Sequence, residues 1–132
     1  MDRTVVHFEI PANNPEKLSE FYKTLFEWKV EKMSMGTMGD YWIFETRAGT
    51  AKDREKNQNT AGVNGGMMKR VSPGQQVTNY MMVESVDDYI KKVQQLGGKI
   101  ITPKTPLPDM GAFAVALDPE GNPFGIFEAS SR

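Results

Sequence analysis

Residues 118–128, Asp118-Pro-Glu-Gly-Asn-Pro-Phe-Gly-Ile-Phe-Glu128, decide how the rest of the chain is read. Proline presets φ, glycine supplies φ > 0 and Asp or Asn bonds the local backbone, so Asp118 to Asn122 reads as a tight turn. A short apolar strand follows at once. Side chains alternate across a strand, which puts Phe124, Ile126 and Glu128 on one face and Gly125 and Phe127 on the other. A carboxylate therefore ends an otherwise hydrophobic face. It reads either as a solvated strand end or as a functional acid, and the chain's single histidine, His7, near the other terminus, gives the second reading a partner.

Upstream of that strand the same pattern occurs twice. Thr4 to Ile10 alternates as a strand, with Val6, Phe8 and Ile10 on one side and Val5, His7 and Glu9 on the other. Asn14 is a good N-cap, Pro15 suits the first helical position, and Leu18, Phe21, Tyr22 and Leu25 fall at the spacing of one apolar helix face. Strands are expected over 28–33, 41–46 and 62–70, the last weakened by Gly65 and Gly66. Glycines inside a strand mark a bulge or a close approach by a ligand or another backbone. The polar stretch 47–61 reads as a loop, either a lid or a plain solvated connection.

After the turn at Ser72-Pro-Gly74 the order restarts: a strand over 77–84, a helix from Ser85 with Tyr89, Ile90, Val93 and Leu96 as its buried stripe, and a stop at Gly97-Gly98. Strands over 99–102, 111–117 and 123–129 complete the set, with 103–108 as a proline-rich connection. Leu18 lies on Ile90 and Phe21 on Val93 at one offset, so the chain is a duplicated module, approximately 1–71 and 75–132, within one domain. The fold class is α+β, and neither half buries its sheet face alone.

Composition narrows the function classes. At 132 residues the chain can bury a core without staples, and the absence of cysteine excludes thiol catalysis, thiolate metal sites and disulfides. Sixteen basic residues against seventeen acidic ones leave no electrostatic footprint for nucleic acid or an anionic membrane. No run approaches the ~20 apolar residues of a membrane span. The start of the sequence lacks the plan of a signal peptide, so a cytoplasmic location is expected. The partner expected is a small molecule or another protein. One histidine leaves no Ser/His/Asp constellation to defend, and Gly62-x-x-Gly65-Gly66 lacks the lysine and helix of a phosphate loop.

His7-Phe-Glu-Ile, Asn14 to Tyr22, Leu25-Phe-Glu-Trp28, Gly62 to Gly66, Leu96-Gly-Gly98 and Asp118 to Asn122 together resemble the vicinal oxygen chelate superfamily of glyoxalase I, bleomycin-resistance proteins and extradiol dioxygenases. The likeness spans essentially the whole chain, and is greatest to predicted enzymes related to lactoylglutathione lyase. The resemblance implies two βαβββ modules whose sheets curl into a cup, commonly in a homodimer. It implies a divalent metal ion as cofactor, held by four side chains from the outer strands and acting as a Lewis acid. His7 falls at the family's first ligand position and Glu128 at its last.

The other two positions depart from the pattern. The fourth-strand ligand should fall near Gly65 to Met67, and the one opening the second module near Thr78 or Tyr80, and none of these is a strong donor. A catalytic divalent ion takes about three protein ligands, so the set is incomplete unless Glu9 joins it. Two functions follow. One is a metal-independent binding protein for a small, partly aromatic compound, its surface lined by Glu9, Trp42, Phe44, Met67, Thr78, Tyr80 and Met82. The other is a divalent-metal-dependent lyase, isomerase or dioxygenase using His7 and Glu128. The structural alternatives are a His7 paired with Glu128 or Glu9, its pKa raised, a sheet-core role for Tyr41, Trp42 and Phe44, and a buried Tyr80 tied to backbone.

Overall fold

The two α-helices among the described residues begin where their capping residues put them. In the computed structural model, which describes residues 3–46 and 62–130, helix α1 spans Pro15–Phe26 and α2 spans Val86–Gln95. The Asn14 Oδ1 accepts from the Lys17 N–H at 3.1 Å, and the Ser85 Oγ accepts from the Asp88 N–H at the same distance. Each satisfies one of the orphan donors of a first helical turn. The stretch 47–61, read above as a loop, lies outside the described residues.

Among the described residues eight strands accompany the helices: β1 Val5–Ala12, β2 Lys29–Ser34, β3 Asp40–Glu45, β4 Gly65–Lys69, β5 Thr78–Met82, β6 Lys99–Leu107, β7 Gly111–Leu117 and β8 Pro123–Ala129. The chain divides into two compact units. The first is His7–Gln76; the second is Val77 onward together with the chain up to Val6. Thr4 joins the second unit because its carbonyl accepts from the Met82 N–H at 3.2 Å, and Arg3 pairs with Glu84. In the first unit the strand order is β2-β3-β4-β1, with β1 and β4 parallel and the rest antiparallel. In the second it is β6-β7-β8-β5, with β5 and β8 parallel. A parallel pair needs a long crossover, and in each unit the helix and two further strands supply it.

One face of each sheet carries the helix. In the first unit Trp42, Phe44 and Met67 are buried, with Phe8, Ile10, Leu18, Tyr22, Trp28 and Val30 packed against them. The Tyr22 and Trp28 rings stack at 5.1 Å with 7° between their planes. In the second unit Val83, Val86, Ala114 and Ile126 form the core with Tyr89, Ile90 and Phe124, and Ala112 and Ala116 are buried too.

Three expectations change. The inward arc of α1 is narrower than its apolar spacing suggested: Leu18 and Tyr22 meet the core, while Phe21 and Leu25 stand on its flank more than half exposed. Leu96, at the C-cap of α2, is likewise exposed. The proline-rich stretch 103–108 is no connection but mostly strand, since β6 runs on to Leu107. It is the outermost strand, where proline is best tolerated, and its register shifts twice along β7.

Candidate functional site

The sheet face opposite the helix in the first unit carries His7, Glu9, Tyr41, Ile43 and Met68, because these alternate with the core residues Phe8, Ile10, Trp42, Phe44 and Met67. Tyr41 leaves β3, passes over β4 and reaches β1. Its Oη and the His7 Nε2 lie 2.8 Å apart in a hydrogen bond whose direction follows the imidazole tautomer. The two rings run nearly parallel, 19° between planes at a 6.3 Å centroid separation.

Two strand spacings, about 9–10 Å, separate β3 from β1. A tyrosine can bridge them only if nothing projects from the strand it crosses. Gly66 is what lies below: a Cβ built there would overlap the Tyr41 ring and its hydroxyl oxygen. The close approach that the glycine pair signalled is therefore made by side chains, with Gly65 meeting Phe8 on the helix face and Gly66 meeting Tyr41 on the open one. Burial of the imidazole holds the His7 pKa below its ordinary value, because the charged form loses hydration. The expected rise from a carboxylate partner is thus corrected, because desolvation decides the shift.

The second unit repeats the device in the opposite direction. Tyr80 on β5 lies over Gly125 on β8, where a Cβ would overlap its ring, and meets Phe113 on β7 edge-on at 6.1 Å. Phe127 is paired directly with Phe113, and Thr78 and Met82 share the Tyr80 face by alternation.

Among the residues expected to line a ligand surface, Glu9, Thr78, Tyr80 and Met82 are on the faces away from the helices, with Thr78 and Tyr80 buried there. Trp42, Phe44 and Met67 are not on those faces. They form the core beneath α1, Phe44 and Met67 fully buried, because the even positions of β3 and Met67 of β4 face the helix. Glu128 also lies on the helix side, in step with Ile126. Its Oε1 accepts from the Val86 N–H at 2.7 Å, which places the carboxylate at the first turn of α2.

The residues present do not fit the four-ligand metal set that the resemblance implied. The His7 Nε2 is engaged by Tyr41, the Glu128 carboxylate caps a helix, and a tyrosine ring covers Gly66. Among the described residues no three His, Cys, Asp or Glu side chains gather in one place. The sequence reading missed Tyr41, Phe113 and Gly125 as members of the open faces. For Tyr41 a signal existed, since it shares the parity opposite to Trp42 and Phe44 on β3.

The glyoxalase-like domain family matches residues 5–127. Among solved structures, a hypothetical protein from Bacillus halodurans C-125 superposes with a TM-score of 0.71 at 12% identity, covering 100% of this chain and 98% of that one. Methylmalonyl-CoA epimerase from Mycobacterium tuberculosis gives 0.66 at 10% identity over 96% and 87%. A chain described as NAD-dependent benzaldehyde dehydrogenase from Legionella pneumophila gives 0.60 at 22% identity over 94% and 98%. At these identities the likeness is one of fold. No curated protein matches the chain.

Proposed function

The chain belongs to the glyoxalase-like domain family, within the vicinal oxygen chelate superfamily, and from that premise we propose that it binds a small, partly aromatic compound without a resident catalytic metal. The observation that carries this reading is the hydrogen bond between His7 and Tyr41 above Gly66, which commits the family's first ligand position to a phenol. The open face of the first unit offers a flat ring in Tyr41, apolar contact in Ile43 and Met68, and neutral hydrogen-bonding groups in His7 and Tyr41. Such a mixture suits an aromatic ligand carrying one or two polar atoms. In the second unit the part-exposed Phe113 and Phe127 offer an aromatic face, with the buried Tyr80 packed beside them. We further propose that the protein works as a homodimer in the cytoplasm; sedimentation giving a strict monomer at micromolar concentration would remove the dimer.

Calorimetry with a panel of small phenols and aryl carbonyls, run with and without EDTA, tests the reading. Binding should be indifferent to the chelator. Tyr41→Ala or Tyr80→Ala should weaken it by about 1–3 kcal/mol through lost ring contact and hydrogen bonding. A metal-dependent lyase or isomerase predicts the reverse, with EDTA abolishing binding and His7→Ala removing a first ligand. Chelator-sensitive binding sinks the proposal.

A further inference from the structure

The two units place a glycine at the same point of the same topology. Gly66 on β4 is paired with Glu9 on β1 and Ile43 on β3; Gly125 on β8 is paired with Tyr80 on β5 and Val115 on β7. In each unit the glycine sits on the strand between the parallel partner and the antiparallel one, and each faces away from the helix. Each is roofed by a tyrosine that comes from a different strand in the two units, β3 in one and β5 in the other. One such contact has a local explanation in packing. Two, reached from opposite directions at equivalent points, make the covered glycine a shared feature of both units.

We infer that Tyr41 and Tyr80 fill the volume that a side chain at Gly66 or Gly125 would occupy, so that each face is closed to cation chelation by shape. This rests on the metal-independent reading above and adds its physical cause. A carboxylate or imidazole at residue 66 would collide with a ring held at its far end by His7, and one at 125 with a ring held against Phe113. Space, and not only donor identity, keeps a chelating set from forming.

The test uses the full chain and two readouts. Gly66→Ala and Gly125→Ala should each lower the melting temperature by about 5 °C or more through overpacking. Adding Tyr41→Ala to the first, or Tyr80→Ala to the second, should recover part of that loss. Titration with Ni2+ should show no stoichiometric binding to the wild type or to Tyr41→Phe, which keeps the ring. Gly66→Glu combined with Tyr41→Ala brings a carboxylate beside His7 and Glu9 on one face, and should bind Ni2+ about tenfold or more tighter than the wild type. Wild-type binding of one Ni2+ per chain overturns the inference, and so does a folded double variant that binds none. If that variant does not fold, the alanine series decides alone: Gly66→Ala tolerated without thermal loss is equally fatal. That result would leave chelator-insensitive ligand binding standing, whereas chelator-sensitive binding would defeat the functional reading even with the glycine results as expected.

Discussion

The two units share one strand order and fill it differently. Beneath α1 the sheet presents Trp42 and Phe44; the positions in step with them beneath α2 are Ala114 and Ala116. The first unit thus stacks a layer of rings, Phe8, Tyr22, Trp28 and Phe44, between helix and sheet. The second fills the same layer from the helix side, with Val86, Tyr89 and Ile90 over an alanine row. Topology is conserved between the units while side-chain volume is redistributed, because close packing constrains the sum across a layer more than the size at any one position. On the open faces the pattern also changes hands: tyrosine crosses glycine toward β1 in one unit and away from β5 in the other.

The ring layer gives the largest expected effect. Phe44→Ala removes the ring that touches Phe8, Tyr22 and Trp28 and should destabilise the protein by about 3–5 kcal/mol, read by chemical denaturation. Ala116→Gly, the matching truncation in the second unit, removes one methyl group and should cost about 1 kcal/mol. Comparable losses at the two sites would show that the units do not divide their volume as described.

A smaller effect separates the helix starts. Helix α1 relies on the Asn14 side chain, whereas α2 has both Ser85 and the carboxylate of Glu128. Glu128→Ala should cost about 0.5–2 kcal/mol, and Glu128→Gln, which keeps an acceptor, clearly less. Equal losses from the two variants would mean that the charge and not the hydrogen bond to the Val86 N–H supplies the stabilisation.

The smallest effect is confined to acid pH and to the first unit. The unfolded chain takes up a proton at His7 near the ordinary value of 6.5, while burial keeps the folded imidazole neutral to lower pH. The unfolded state therefore binds more protons in that window. Stability should be complete above 6.5 and fall as the pH drops below it, until the folded histidine is protonated too. His7→Gln should remove this part of the pH dependence, measured by denaturation between pH 5 and 7.5, roughly the span around a histidine pKa. Tyr41→Phe should keep it, since burial and not the phenol is the cause. A stability curve unchanged in His7→Gln would count against the assignment.

Periodicity and capping residues determined much of this protein: two βαβββ modules, both helix starts, and a superfamily likeness that the family match bears out. These are readable because hydrogen-bond geometry and side-chain alternation act over a few neighbouring residues. The pairing of Leu18 with Ile90 is one residue out of step with the helix starts, where Asn14 answers to Ser85. Only the tertiary structure decided which face of each strand meets a helix, since period 2 separates two faces without saying which is which. That ambiguity assigned Trp42, Phe44 and Met67 to a ligand surface and overlooked Tyr41. Nor could spacing show that a ring would cross a strand to roof Gly66 or Gly125. Such a contact joins residues from different strands, and it depends on the absence of a single methyl group at the point of crossing.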